Sequence, residues 1–317
     1  MSRLVLKQTD AATNAALVGI AGEVLSVPGV GIAIHDGGTP GGRLLTSQAA
    51  TAANNLIRNG TFVSAQNGVQ WLSIPAAGNI AYIADGWHFH RGGGTTANVA
   101  VSRTYAPNEA DVPASLRITT VSGGLASSFS VLCQQISDSR LLAGRTVTVT
   151  YKAKGAVSRR TALTLRQDFK SATAAVETFV GNSALTTGWQ TFTHTFVVPS
   201  VPSTYILGTG HFTGLWFWIE AGSDYDARTG GIGNISSSFD IANIRMIVGD
   251  SSMPVAEMSQ LEETLKVQRY YEKSTATVFM CQSGVNDANT INAVAYLPFR
   301  TPKAGSPVIT GLTTSFA

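Results

Sequence analysis

The chain has 317 residues, 44% of them hydrophobic and only 13% charged, with a net charge of +3. That charge content is about half the ~25% usual for a soluble domain, so Ser, Thr, Asn, Gln and Gly must cover the surface, as in hydroxyl-rich β proteins. No basic run supplies the cationic footprint of a nucleic-acid binder, and no apolar run approaches the ~18 residues of a membrane-spanning helix.

The opening MSRLVLKQTD carries Arg3, Lys7 and Asp10 and lacks the apolar core of a signal peptide. The expectation is a chain made and folded in a cytoplasm. Cys133 and Cys281 lie far apart. They build neither a disulfide framework nor a metal knuckle, which agrees with a reducing compartment.

Residues 1–48 form the first unit. GEVLSVPGVGIAIHDG predicts a strand over 24–27, a Pro28-Gly29 turn and a strand over 31–35. Gly37, Gly38, Pro40, Gly41 and Gly42 end the pattern. So few large apolar side chains can barely bury a core alone, so this unit is expected to lean on other copies or on a docking partner. Residues 49–54 read as a linker.

From 55 to 250 the pattern is strand after strand. Val147, Val149 and Tyr151 alternate with Thr146, Thr148 and Thr150, and Phe192, His194 and Phe196 alternate with Thr191, Thr193 and Thr195. One apolar and one hydroxyl-bearing face is the period-2 signature of a half-buried antiparallel sheet. SFSVLCQQI (128–136) and LWFWIE (215–220) add two strands. Phe239 and Ile241 share a face, and Ile244, Met246 and Val248 continue one step out of phase, so a bulge is predicted near Ala242-Asn243. The fold class is mainly β: a small N-terminal hairpin, a central jelly-roll-like β-sandwich, a short helix and a C-terminal β segment.

Residues 251–274 carry the helical period, with Ser252 as the expected cap and Pro254 in the first turn. Met258, Leu261 and Leu265 make a narrow stripe suited to packing on the sandwich or to a seam between copies. Residues 275–317 read as β-like, ending on a strand begun but not paired. Either another chain completes it, or the full product is longer.

Four stretches, taken in order, resemble a tailed-bacteriophage tail fibre or receptor-binding protein. They are GEVLSVPGVGIAIHDGGTPGG; NLIRNGTF with YIADGW; LLAGRTVTVTYKAKG with TTGWQTFTHTFVVP and FDIANIRMIVGD; and QRYYEKS. The third is similar to the carbohydrate-binding-module-like sandwich found in such fibres. The likeness covers residues 15–275. It departs from the pattern at Pro28-Gly29 and matches nothing beyond 275. It implies a homotrimer in the virion tail, assembled in the host cytoplasm. Its N-terminus would attach to a tail or baseplate protein, with Glu23, His35, Asp36, Gly37, Gly41 and Gly42 as the docking hairpin. Distal parts would touch host-surface polysaccharide.

Trp71, Trp87, Trp189, Trp216 and Trp218 are the sugar-stacking candidates. Trp216, Trp218 and Glu220 alternate onto one face of a strand whose other face holds Phe217 and Ile219. Either that face is a platform or the strand is buried on both sides. Trp87 follows the Asp85-Gly86 turn. The glycan-contact set is therefore Trp216, Trp218, Glu220 and Trp87.

His88 and His90 share a strand face without a third ligand nearby, so no metal is assigned. Asp224 and Asp226 offer a structural calcium two carboxylates without a full oxygen cage. Glu220, Asp224, Asp226 and Asp240 are not set as a glycosidase pair by any pattern, and GxSxG, HExxH and phosphate-loop motifs are absent. No catalytic residue is assigned. The expected function is structural and adhesive, as opposed to a stand-alone carbohydrate-binding module or a virion glycan depolymerase.

Overall fold

The computed structural model describes residues 7–8, 16–18, 23–27, 31–35, 37–38, 40, 43–44, 55–66, 68, 70–74, 80–93, 99–105, 109, 111–121, 124–249, 259–273, 283–286, 290–293, 299 and 302–303. The chain divides into two compact units. One is Met1–Asn54 with Pro254–Glu257, and the other is Asn55–Met253 with Met258–Ala317.

The first unit holds β1 (Lys7–Gln8), β2 (Val24–Val27), β3 (Gly31–Ile34) and β4 (Arg43–Leu44), in that spatial order. The expected hairpin is β2–β3, paired Val24 to Ile34 through Val27 to Gly31. Parallel β1 and antiparallel β4 flank it. The amide of His35 donates to the carbonyl of Glu23 at 2.9 Å, extending the ladder. His35 and Leu25 are buried, and Gly37 is exposed with φ at 82°. Asp36, Gly41, Gly42 and the Pro28-Gly29 turn lie outside the described residues.

In the second unit, chain order gives β5 (Gln70–Ile74), β6 (Ile80–Tyr82), β7 (His88–Gly92), β8 (Val99–Tyr105), β9 (Ala114–Thr119) and β10 (Phe129–Ser137). Then come β11 (Thr146–Gly155), β12 (Arg159–Asp168), β13 (Val176–Leu185), β14 (Gln190–Val197), β15 (Phe212–Ala221) and β16 (Ser238–Val248). They form two six-stranded sheets, β13-β12-β15-β10-β7-β6 and β14-β11-β16-β9-β8-β5, antiparallel throughout. The chain crosses between sheets repeatedly, as in a β-sandwich.

Alternation decides what is inside. Leu163, Leu165, Leu215 and Phe217 from the first sheet meet Val147, Val149, Tyr151, Ile241 and Met246 from the second in one core. The predicted bulge is present. Thr150 pairs with Arg245 and Lys152 with Ala242, so β16 holds one extra residue there. Asn243 takes φ of 50°, the left-handed region that Asn tolerates.

The segment before β5 closes the core. Asn55 Oδ1 accepts from the amides of Ile57 and Met246, and Leu56 donates to Met246. Asn59, at φ of 49°, donates through Nδ2 to the carbonyls of Ser64 and Asp85, both at 2.9 Å. Asp85 Oδ2 takes the Ser64 hydroxyl at 2.6 Å, and the Trp87 indole donates to the Asn59 carbonyl at 3.0 Å. Gly60 is obligatory here, because a Cβ would stand 2.0 Å from the carbonyl oxygen of Ile244. NLIRNGTF and ADGW are therefore two halves of one clasp.

After β16, a nine-residue helix docks on that clasp. It is preceded in the chain by a four-residue turn, α1 (Asp226–Thr229), and is named α2 (Gln260–Gln268). Its cap is Ser259, not Ser252. Ser259 and Glu262 exchange side-chain and backbone bonds in a capping box, which fixes the helix start where both partners exist. Ser252, Pro254 and Met258 lie outside the described residues. Leu261 and Leu265 face solvent, 67% and 40% exposed, so the stripe does not pack on the sandwich. The buried side is Glu263, Val267 and Gln268. Arg58 stacks over Tyr270 at 4.2 Å, and Lys303 Nζ meets Glu272 Oε2 and the Gln268 carbonyl, both at 2.5 Å.

Burial pushes the Glu263 carboxyl up to about 7, against opposing pulls from Lys266, the Thr61 hydroxyl, the Asn59 backbone and Arg245. The sign follows from linkage. The folded state holds a proton that the unfolded state releases near the ordinary ~4.5, so the stabilisation present in acid is lost as pH rises to about 7. The loss is on the order of 3 kcal/mol. Stability measured by denaturant between pH 5 and 8 should fall in the parent and stay flatter in Glu263→Gln. Equal slopes would refute the assignment.

In the C-terminal segment the described strands are a hairpin of β17 (Ser283–Asn286) and β18 (Thr290–Ala293). The final residues 304–317 lie outside the described ones.

Candidate functional site: the outer face of the first sheet

The face of the first sheet turned away from the core is aromatic and polar. Register places Trp216 of β15 opposite Cys133 of β10 and Thr164 of β12, and Trp218 opposite Val131 and Ala162. His88 and His90 of β7 sit across from Cys133 and Val131. Tyr82 and Ile80 of β6 follow opposite the two histidines. On the other flank, β13 sets Glu177 opposite Arg166 and Phe179 opposite Thr164.

A loop after β15, residues 222–235, folds over half of this face. Tyr225 and Ile232 lie on Trp218, which is 1% exposed. Its ring stands 5.4 Å from Tyr225 and 5.9 Å from Phe129, and its indole N–H donates to the Thr164 hydroxyl at 2.9 Å. Trp218 is fully satisfied core.

Trp216 stays half-buried. The His90 ring meets it edge-on at 5.6 Å, and the Arg166 guanidinium stacks at 5.1 Å from its centre. Arg166 is held by Asp168 at 3.2 Å and Glu177 at 3.8 Å, and Glu177 also binds Thr164 at 2.9 Å and Arg228 at 3.3 Å. This lattice fixes the cation over the ring. Beyond it, Gln135 is exposed and Tyr82 is 75% exposed. Burial lowers both histidines. His88 falls to about 4, with His90 and Arg58 adding repulsion, and His90 is lowered further by Arg166. Both are neutral at pH 7 and present N–H donors and ring-nitrogen acceptors without charge. A half-buried indole flanked by a neutral imidazole and a fixed cation, with an exposed amide on the same face, is the chemistry that takes a sugar ring on its apolar face and its hydroxyls around the rim.

No family model matches the sequence, and no curated protein matches it. Solved structures do match. The enzymatically active domain of bacteriophage CBA120 tailspike protein 4 is 14% identical over 62% of this chain, at a TM-score of 0.35, and this chain covers 22% of its length. A CBM4 carbohydrate-binding module is 17% identical over 47% of this chain and 87% of its own, at 0.30. The CBM22-2 xylan-binding domain of Paenibacillus barcinonensis Xyn10C is 14% identical over 56% and 99%, at 0.35.

Of the four residues expected to touch glycan, Trp216 alone keeps an open edge. Trp87 is fully buried against Phe62 and Phe217, because the clasp draws it inward. Trp218 is sealed by the loop. Glu220 leaves the shared face altogether. Trp218 pairs with Val131 but Glu220 with Ser130, so Ile219 is an extra residue and the following side chains change sides. Glu220 turns inward, fully buried, where Ser130 donates to it at 3.2 Å and Arg159 and Arg91 carry the compensating charge.

Asp224 lies in the 3-10 turn Ser223–Tyr225, and Asp226 lines a cavity of about 470 Å³ with Ser223 and Asn234. Asp224 does not line it, so the pair does not converge. Among the described residues no group of three or more His, Cys, Asp or Glu could hold a metal ion. Sequence reasoning missed Tyr82, Gln135, Arg166 and Glu177. Only their period-2 placement on adjacent strands signals them, and strand order is needed to see it.

Proposed function

We propose that the sandwich is a non-catalytic glycan-binding module forming the adhesive part of a tail-fibre-like virion protein. Trp216 carries the reading: it is a half-buried aromatic on the sheet face, flanked by Arg166 and His90, with exposed Gln135 on the same face. The N-terminal unit docks to a tail or baseplate protein, and three copies assemble. Leu261 and Leu265, exposed on α2, supply the seam. Weak single-site affinity is multiplied by copies on one particle. The order of the anchor, clasp, strand and QRYYEKS stretches supports the virion setting.

Affinity electrophoresis of the full chain through neutral polysaccharides tests the binding. Retardation is expected, with Trp216→Ala weakening it about tenfold or more, the scale of an aromatic hot spot. Unretarded migration through every glycan sinks the adhesive reading. Solution mass tests the assembly, with three chains expected. A monomer would leave a solitary binding module.

A further inference from the structure

The outer face of the second sheet carries a charged row independent of the Trp216 site. Asp240 on β16 pairs with Arg117 on β9 and with Lys154 on β11, so the three stand side by side across adjacent strands. Their chain neighbours Leu116, Ile118, Phe239, Ile241 and Ala153 are core, which puts all three side chains outward. Arg117 grips both oxygens of Asp240 through Nε and Nη2, each at 2.8 Å. Lys154 Nζ stands 3.8 Å from the same carboxylate, beyond hydrogen-bond reach.

Two cations share one anion, so the row keeps a surplus positive charge. Arg117 is about half exposed and its Nη1 group has no partner among the described residues. The next strand continues the row with an aromatic. Trp189, the residue before β14, lies 5.0 Å beneath the Lys154 ammonium, and its buried indole N–H has no partner among the described residues. Arg117, Lys154, Thr187 and Ser238 line a cavity of about 180 Å³ over Asp240. The row from Arg117 to Trp189 crosses three strand spacings, roughly 14 Å, long enough for a short oligosaccharide.

An ion row serving stability alone needs no surplus charge, no cavity and no adjoining indole. Asp240 accounts for the position of Arg117, and it holds the guanidinium rigid with one edge turned outward. Lys154 is held loosely, by an ion pair without a hydrogen bond and by the ring. We propose that this cavity is a subsite for a carboxylate-bearing sugar, a hexuronate residue of an acidic polysaccharide. Its carboxylate takes Lys154 and the Nη1 edge of Arg117, its hydroxyls take Ser238 and Thr187, and the next sugar ring lies along Trp189. The site is open, so binding is weak and salt-sensitive.

The test is calorimetric titration of the full chain with a uronate trisaccharide, its methyl ester, and acetate. The acid should bind about tenfold tighter than the ester, and added salt should weaken it. Lys154→Gln and Trp189→Ala should each weaken the acid several-fold, whereas Trp216→Ala should leave it unchanged, which separates this site from the first. Lys154→Gln keeps the Arg117–Asp240 pair, so its melting temperature should match the parent. The proposal is overturned if ester and acid bind alike. It is equally overturned if acetate binds as well as the trisaccharide, if Lys154→Gln leaves the affinity intact, or if Trp216→Ala abolishes it.

Discussion

Trp87→Ala is expected to remove about 4 kcal/mol from the stability of the sandwich. For a unit of this size that lowers the melting temperature by roughly 10 °C. The loss has two sources. The indole fills core space against Phe62 at 5.5 Å and Phe217 at 6.3 Å. Its N–H donates to the carbonyl of Asn59 at 3.0 Å, a second bond beside the one from the Phe62 amide at 3.2 Å. Trp87→Phe keeps most of the volume and loses the one bond, so it should cost about half as much. Denaturant unfolding followed by circular dichroism reads both. A Trp87→Ala chain within 1 kcal/mol of the parent (about the worth of one hydrogen bond) would mean the clasp does not close the core.

The second large effect belongs to Glu220. It is the shared counter-charge of Arg159 and Arg91 inside one end of the sandwich, and all three are nearly or fully buried. Burial lowers the Arg159 guanidinium to about 10, with Glu220 pulling it back up. Glu220→Ala leaves two buried cations without their anion, a change that typically costs about 3–5 kcal/mol. Arg159 also donates to the carbonyl of Ile219, the bulge residue, so the loss should propagate into β15 beside Trp216. A triple variant, Glu220→Leu with Arg159→Met and Arg91→Met, should recover much of the stability, because apolar side chains of similar volume carry no desolvation cost. If Glu220→Ala unfolds at the parent's denaturant midpoint, the buried cluster is not an energetic unit.

The strands were legible because one face of each is core. The alternations of β11 and β14 predict their sides directly, and the phase slip between Ile241 and Ile244 located the bulge at Asn243. The face of Trp216 and Trp218 was legible too, but their exposure was not. Whether a loop 222–235 folds back over one of two adjacent tryptophans depends on tertiary contacts of Tyr225 with Phe129 and Trp218. Glu220 was misplaced because the bulge at Ile219 lacks a left-handed Asn of the kind that marks the bulge at Asn243. The clasp showed in sequence as three separate stretches, NLIRNGTF, ADGW and QRYYEKS. Their convergence rests on hydrogen bonds across 26 and 205 residues, which no local pattern displays. The Arg117–Asp240–Lys154 row is likewise invisible along the chain, since it is assembled across three strands.

The clasp also decides how the sandwich responds to being pulled. Tension passed along the chain would enter near Asn55 and leave near Lys273. Asn55 is tied to Met246, Arg58 stacks on Tyr270, and Gln66 bonds to the carbonyl of Tyr271 at 3.3 Å. The two ends are stitched to each other, so the first bonds to feel the strain are those of the stitch. The twelve strands of the two sheets lie between those ends along the chain and are shielded until the stitch opens. A tether built this way yields by releasing slack at a small seam while its sheets, and the face that holds Trp216, stay folded.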